Sequence, residues 1–367
     1  MTNDTERFNI WQLTKEDITL EVVLELLKEN YNCPISYLDS FELPELDKTF
    51  QNKWVDANGK DSITINTFKS KDIYEKDDEE LSQTVEEIDE EIDTDGYIRY
   101  IHVKAIFEKG LGEEKAIVRG NVLPRESRVF NRSCDVCFIE ISSKIYIVLN
   151  ANVTDESRIR NVLLNIKDSK GKNRWGKIKY KNVINYTLDS DFFYWLLYKN
   201  GSANGIRMIN GEIVKVIDVS LVIQQDALES YTTHSIGVDI LGSTSALSGF
   251  AENQIINQTG VVFVSDNVKL FSLIENTGVI HVNKGKTELN VKFSKDNDFL
   301  TTALYLYTYL LPNLLSTLEN EKKQNDWGEN LISEKRKEWA MNAILNLMLF
   351  NDINTEEIDD AEKKRED

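Results

Sequence analysis

Residues 136–149 read VCFIEISSKIYIVL, two apolar runs that flank a pair of serines. β-Branched and aromatic residues dominate both runs, a composition that is typical of strands. Small polar residues between two such runs are typical of a tight turn. We therefore predict that residues 136–141 and 145–149 form paired strands around Ser142 and Ser143.

Further strand patterns lie on both sides of this pair. Upstream, residues 97–107 alternate in part, and downstream a helix is predicted from Thr154 because acidic residues occupy its first turn. Asn210 and Gly211 are typical of the turn of a type I′ hairpin. The remaining predicted strands cover residues 206–209, 213–222, 236–241, 261–264, 279–282 and 289–293. These elements predict an α+β fold with a mixed or antiparallel sheet over residues 96–293.

The chain before this sheet divides into two parts. Residues 1–74 have the pattern of a small N-terminal α/β region, in which Asn58–Gly59 predicts a hairpin between Trp54–Val55 and Ile63–Ile65. Residues 75–95 hold 12 acidic residues and one lysine. A segment with so high a net charge and so few apolar residues is predicted to be a solvated linker.

The chain after the sheet is predicted to be helical over residues 294–351. Residues 299–318 carry no charge, but their threonines, tyrosines and Pro312 favour a buried core helix over a membrane span, so no membrane partner is expected. A second helix is predicted over residues 331–350. One side of it carries Trp339, Ala343, Ile344, Leu347 and Met348. Residues 352–367 form a charged tail.

Charge is distributed unevenly along the chain. The formal net charge is −19, yet residues 115–181 hold 15 Lys or Arg against 6 Asp or Glu. A basic block beside the acidic residues 75–95 indicates an anion-binding face together with a segment able to cover it. The alternative interpretation is that the two blocks pair with each other and bind nothing external.

The basic residues are densest in residues 167–181, KDSKGKNRWGKIKYK. Lysine and arginine neutralise phosphates, and aromatic rings stack on bases of single-stranded nucleic acid. This pattern predicts a polyanion-binding surface for DNA or RNA, although a solvated lysine-rich loop has the same composition. The predicted contact residues are Lys170, Lys172, Arg174, Trp175, Lys177, Lys179 and Lys181.

Two other functions are consistent with the sequence. A protein-interaction subunit or adaptor would use the aromatic segment Phe192–Tyr198, if it is exposed, or the C-terminal helices as its docking surface. A metal-dependent nuclease would use Asp135, Glu140 and Lys144, with the carboxylates holding Mg²⁺ and the lysine orienting water.

No assembled catalytic motif stands out, so a non-enzymatic protein without a cofactor is expected. The chain has three histidines, and they do not cluster in the sequence. Few residues are therefore candidates for imidazole-based catalysis. Cys134 and Cys137 form a single CxxC, whereas a structural zinc site needs four ligands. The odd cysteine count and the lack of a basic and apolar leader in MTNDTERFNIW lead us to expect a cytoplasmic location.

Overall fold

The computed structural model describes residues 4–76, 96–208, 211–226, 228, 231–293 and 298–358. The described helices are α1 (Leu20–Leu27), α2 (Glu113–Ala116), α3 (Arg125–Arg128), α4 (Val153–Arg158), α5 (Ser190–Lys199), α6 (Thr244–Ala251), α7 (Asp298–Leu304), α8 (Leu311–Gln324) and α9 (Glu329–Phe350). Tyr305–Leu310, between α7 and α8, is a π-helical turn.

The described strands are β1 (Thr5–Leu13), β2 (Cys33–Pro34), β3 (Thr49–Phe50), β4 (Lys53–Asp56), β5 (Asn66–Lys69), β6 (Tyr97–Gly110), β7 (Ile117–Val118), β8 (Asn121–Val122), β9 (Val129–Ile141), β10 (Lys144–Asn150), β11 (Ile178–Lys179), β12 (Ile206–Arg207), β13 (Ile213–Gln225), β14 (Thr232–Ile236), β15 (Ile255–Val264), β16 (Val268–Glu275), β17 (Ile280–Asn283) and β18 (Glu288–Leu289). Antiparallel sheet and helices together confirm the predicted α+β class.

The chain forms two compact units, each built from segments that are distant in sequence. The first unit comprises residues 6–184 and 290–309, and the second comprises residues 1–5, 185–289 and 310–367. The region boundaries predicted after residues 74, 95, 293 and 351 rest on the composition along the chain, and they stay a prediction. Residues 77–95 of the acidic linker and 359–367 of the tail lie outside the described residues.

The first unit is organised around the predicted strand pair. Lys144 pairs with Ile141 across Ser142 and Ser143, and both serines have the positive φ of a type I′ turn, 49° and 58°. The antiparallel order of the main strands is β1–β10–β9–β6, with β4 and β5 both on β6 and β11 on β1. The predicted strand pair is therefore confirmed and lies inside this sheet.

Both faces of this sheet are covered. On one face α1 and Trp175 pack against alternate residues of the long strands, such as Val103 and Phe138. On the other face Phe299 of α7 stacks on His102, with ring centroids 5.6 Å apart. The uncharged stretch that starts at Phe299 is thus a buried helix, as predicted. Among the described residues, no helix combines the length and the apolarity needed to cross a membrane.

The predicted hairpin at Asn58–Gly59 is wrong. Gly59 does lie in a turn with φ of 75°, but β4 pairs with β6, where Trp54 lies opposite Ala105. Residues 63–65 form no strand. Trp54 is buried against Phe138, and this packing on a distant strand outweighs the local turn signal.

The strands of the second unit are antiparallel in the order β12–β13–β15–β16–β17, with β14 also on β13 and β18 also on β16. Helix α5 packs on this unit with the side chains of Phe192–Leu197 buried. The Trp195 indole donates a hydrogen bond to Glu321 of α8, 2.8 Å away. An exposed docking surface at Phe192–Tyr198 is therefore wrong, because these aromatic residues form core.

Replacing Trp195 with alanine tests this burial. We expect Trp195→Ala to lower the free energy of unfolding by about 3–5 kcal/mol, because it leaves a cavity in the core and removes one hydrogen bond from the half-buried Glu321 carboxylate, which keeps its ion pair with Lys199. Urea unfolding followed by far-UV circular dichroism measures the change. The matched control is Ile217→Ala in the same unit, which removes an apolar side chain that is 51% exposed and costs less than about 1 kcal/mol. Equal effects of the two substitutions would contradict the assignment of Trp195 to the core.

Candidate polyanion-binding surface

The basic segment, residues 167–181, is a loop of the first unit that is fixed at two points. Its C-terminal part forms β11, in which Lys179 pairs with Gln12 of β1. Its middle is fixed by Trp175, whose side chain is fully buried and whose ring stacks on Phe138 with centroids 5.7 Å apart. The Trp175 indole donates a hydrogen bond of 3.2 Å to the Tyr31 hydroxyl.

The burial of Trp175 corrects one predicted contact residue. A base can stack only on a ring face that solvent reaches, and both the exposed fraction and the hydrogen bond of Trp175 place its ring in the core. The prediction that Trp175 contacts nucleic acid is therefore wrong. Trp175 holds the basic segment against the sheet instead.

The tip of the basic segment is a tight turn that directs its lysines outward. The Asp168 carboxylate accepts the backbone N–H groups of Lys170 and Lys172, both at 2.8 Å. Gly171 closes the turn with φ of 75°, and its N–H donates to the Asp168 carbonyl oxygen. The one acidic side chain of the segment is thus engaged with the backbone, so it leaves the lysine side chains available to solvent.

The structure separates the seven predicted contact residues into three groups. Lys170, Lys172, Lys177 and Lys181 are exposed, and none of them forms an ion pair with a carboxylate of the described residues. Lys179 and Arg174 are half-buried, and Arg174 forms an ion pair with Glu29. Trp175 is buried. Four lysines on one loop therefore present positive charge to solvent.

Most arginines of the wider basic block serve the fold. Arg128 is buried and donates hydrogen bonds to the carbonyl oxygens of Leu123 and Asp47. Arg125 forms an ion pair with Glu108, and Arg132 pairs with Asp155 at 3.0 Å. The planar guanidinium suits such multiple hydrogen bonds, whereas lysine is a hydrated point charge. The positive charge that the basic segment, residues 167–181, offers to a ligand is consequently that of its lysines.

One arginine covers an aromatic ring near the loop. The guanidinium carbon of Arg160 lies 3.9 Å from the ring centroid of Tyr180, which is 40% exposed. This cation–π contact occupies one face of the only ring that the basic segment presents to solvent. The segment therefore offers charge rather than an open stacking platform.

A groove of about 870 Å³, lined mostly by residues with polar side chains, lies in the same unit and is linked to the loop by the ion pair of Arg174 with Glu29. Glu29 lines this groove and is neutralised by Arg174 of the loop, and Glu108 in the groove is neutralised by Arg125. Lys53 and Lys104 also line it, and neither has a carboxylate partner among the described residues. The groove therefore holds two lysines without a carboxylate partner in the same unit as the loop.

The residues of the nuclease hypothesis are not brought together. Asp135 and Glu140 are five positions apart on β9, so their side chains point to opposite faces of the sheet. Glu140 forms an ion pair with Arg99 at 2.9 Å, whereas Asp135 lies 3.5 Å from the His102 ring. Lys144 begins the next strand and is exposed. In the part of the chain that the structure describes, no three His, Cys, Asp or Glu side chains are arranged to hold a metal.

Cys134 and Cys137 lie on β9 as free thiols and are both buried. Their spacing of three along a strand places them on opposite faces, which agrees with structural roles and not with joint ligation. Burial raises the pKa of both thiols well above the usual range. Each thiol therefore stays protonated and unreactive near neutral pH.

The chain matches no protein-family model, and no curated protein shows significant similarity to it.

Thiol reactivity tests the cysteine environments. We expect one thiol, that of the partly exposed Cys33, to react rapidly with Ellman's reagent in the native protein, and two more to react after unfolding. The raised pKa of Cys134 and Cys137 means that increasing the pH to about 8 does not produce their thiolates. Cys33→Ser should abolish the rapid phase. A rapid phase that survives in Cys33→Ser would show that a β9 thiol is accessible.

Proposed function

We propose that this protein is a cytoplasmic, non-enzymatic recognition protein that binds DNA or RNA through the exposed lysines of residues 167–181. The observation that carries the proposal is the turn at Asp168. It engages the only carboxylate of the segment with the backbone and leaves Lys170 and Lys172 exposed without an acidic partner among the described residues. Lysines presented in this way bind phosphates by releasing counterions.

The overall charge of the protein makes this local surface significant. A net charge of −19 repels nucleic acid at long range, so binding has to come from a region where positive charge is locally in excess. Lys170, Lys172, Lys177 and Lys181 supply such a region, and the groove with Lys53 and Lys104 extends it. The groove lies on the same unit as the loop, so a flexible phosphate backbone can follow both.

The predicted binding mode is electrostatic and weakly specific for sequence. Trp175 is buried and Arg160 covers one face of the Tyr180 ring, so the segment leaves a single ring face for stacking on a base. Phosphate contacts position a nucleic acid without reading its sequence. Affinity should therefore depend strongly on salt and little on base composition.

Charge reversal at the turn tests the proposed surface. We expect Lys170→Glu/Lys172→Glu to weaken binding of fluorescein-labelled single-stranded DNA and RNA by about tenfold or more and to lower the salt slope by about two. Fluorescence anisotropy across a salt titration measures both quantities.

The matched control for this experiment has the same change in net charge. Lys215 and Lys323 are exposed lysines of the second unit, so Lys215→Glu/Lys323→Glu alters the total charge equally but not the loop. If both double variants weaken binding to the same extent, the effect is one of total charge and the proposed surface is wrong. Absence of any binding by the unmodified protein would also refute it.

The acidic residues 75–95 are proposed to mask this surface as an intramolecular competitor. Glu75 is described and its side chain pairs with Lys292 at 2.6 Å, whereas residues 77–95 lie outside the described residues. Their 11 carboxylates are tethered to the first unit, which gives them a high effective concentration near its lysines.

Neutralising these carboxylates tests the masking. Replacing every Asp and Glu of residues 77–95 with Asn and Gln keeps the chain length, and we expect it to tighten nucleic-acid binding and steepen its salt dependence. The same replacements within residues 359–367 remove 5 acidic side chains rather than 11, so the two variants are compared by the gain in affinity per negative charge removed. Unchanged affinity in the first variant, or an equal gain per charge in both, would rule out a masking role for residues 77–95.

A further inference from the structure

Strand β14 lies at an edge of the sheet in the second unit. It pairs with β13 over residues 232–236 and, among the described strands, with no other. Two more backbone hydrogen bonds extend this pairing. The Asp226 N–H donates to the Tyr231 carbonyl oxygen at 3.3 Å, and the Gly237 N–H donates to the Ser220 carbonyl oxygen at 3.2 Å. The other edge of β14 is without a strand partner in the part of the chain that the structure describes.

The same two hydrogen bonds determine which backbone groups point to this other edge. In an antiparallel pair, successive residues direct their N–H and C=O groups alternately toward the neighbouring strand and away from it. Because Tyr231 and Gly237 bond to β13, the residues between them with even numbers point away from β13. These residues are Thr232, His234 and Ile236, and all three are exposed. We name their outward N–H and C=O groups the β14 open edge.

The β14 open edge lacks the features that keep exposed strands from pairing. Edge strands usually carry lysine, proline or a bulge, or are very short. Residues 231–237, YTTHSIG, contain no lysine, arginine or proline. The pairing of β14 with β13 has a regular register over five residue pairs. The strand therefore offers three donors and three acceptors at two-residue spacing, which is the pattern that another strand recognises.

An apolar side chain accompanies the open edge. The odd-numbered residues face α6, where Ser235 is buried and its hydroxyl lies 3.3 Å from that of Ser245. Ile236 points to the opposite face, lies across from the half-buried Leu221 of β13 and is 73% exposed. An aliphatic residue on an added strand would lie beside Ile236 and bury it.

The chain around the open edge is acidic. Between Lys215 and Lys269 there is no lysine or arginine, whereas six residues are acidic: Asp218, Asp226, Glu229, Asp239, Glu252 and Asp266. Arg336 of α9 donates a hydrogen bond to Asn253 in this stretch, but it also lies 3.8 Å from Glu329. A partner with basic side chains is therefore the electrostatically complementary one.

We propose that the β14 open edge binds an extended, basic peptide segment of a partner protein as an added strand. The backbone of the segment exchanges hydrogen bonds with Thr232, His234 and Ile236, and an aliphatic side chain covers Ile236. Its lysines or arginines lie beyond the paired residues, toward Asp226 at one end of β14 and Asp239 at the other. The site belongs to the second unit and shares no residue with the basic segment.

A designed peptide tests the chemistry of the occupant. We expect the fluorescein-labelled peptide KKVTVTVKK to bind the full chain in fluorescence anisotropy at an ionic strength of about 0.15 M. EEVTVTVEE should bind at least about tenfold more weakly, because its charges repel the acidic surroundings. KKVTVTVKK with every central amide N-methylated has the same charge and should also lose at least about tenfold, because it cannot form the backbone hydrogen bonds.

A proline at the centre of the strand tests the place of binding. His234→Pro removes an outward N–H, and a proline is tolerated where the N–H of an edge strand faces solvent. We expect this substitution to weaken binding of KKVTVTVKK at least about tenfold, because the ring and the missing donor interrupt the open edge. The matched control, His234→Ala, keeps the N–H and should bind as the unmodified chain does. Circular dichroism should show both variants folded.

A second substitution tests the open edge without altering its backbone. Ile236→Lys should weaken binding about tenfold, because the added charge repels the peptide and removes the apolar contact. Ile217→Lys is its control, since Ile217 is an apolar residue of β13 that is 51% exposed in the same unit. Amide hydrogen exchange should also slow at residues 232, 234 and 236 when KKVTVTVKK is added.

Four outcomes would overturn the proposal. They are no binding of KKVTVTVKK at about 1 mM, equal binding of the N-methylated peptide, equal binding of EEVTVTVEE, or affinity that survives both His234→Pro and Ile236→Lys. A dimer of the unmodified chain that His234→Pro dissociates in sedimentation equilibrium would assign the open edge to a second copy instead. Nucleic-acid binding by His234→Pro should equal that of the unmodified chain, so failure here and failure of the proposed function are distinguishable.

Discussion

Burial of both sheet faces is the constraint on which the first unit depends. In β9 and β10, successive side chains such as Phe138 and Ile139 are both buried, although they point to opposite faces. The backbone N–H and C=O groups of these strands form hydrogen bonds with the neighbouring strands. Each apolar face of the sheet must then be buried by another segment of the chain. Helix α1 with Trp175 covers one face, and the segment containing Phe299 covers the other. Residues 290–309 therefore belong to this unit despite their distance along the chain.

The same constraint fixes the basic segment. Because Trp175 lies on Phe138 and donates to Tyr31, the residues on either side of it are held at the surface of the unit. The adjacent turn engages its carboxylate with backbone amides, and its lysines are left in solvent. The burial of Trp175 and the exposure of the neighbouring lysines therefore both follow from the way this loop is fixed to the sheet. The lysines are presented on a preorganised element, which reduces the entropy lost when a ligand binds.

The second unit shows the contrasting pattern. Strand β13 alternates between buried residues such as Val216 and exposed residues such as Ile217, so one face of it is open along much of its length. In α9, Trp339 and Ala343 are buried on one side of the helix, while Met341, Leu345 and Leu349 remain exposed. The first unit buries its apolar surface with its own distant segments. Among the described residues, the second unit leaves apolar side chains of α9 in solvent.

The sequence by itself determined the α+β class, the β9–β10 pair and the helices after residue 298, because these features arise from local periodicity and turn chemistry. It also determined which segments concentrate positive and negative charge. Only the tertiary structure decided that β4 pairs with β6 rather than with its neighbour, that Trp175 is core, and that the arginines of the basic block are mostly engaged while its lysines are not. The physical reason is that burial and ion pairing depend on which distant residues come into contact. Composition records only how many such groups each segment holds.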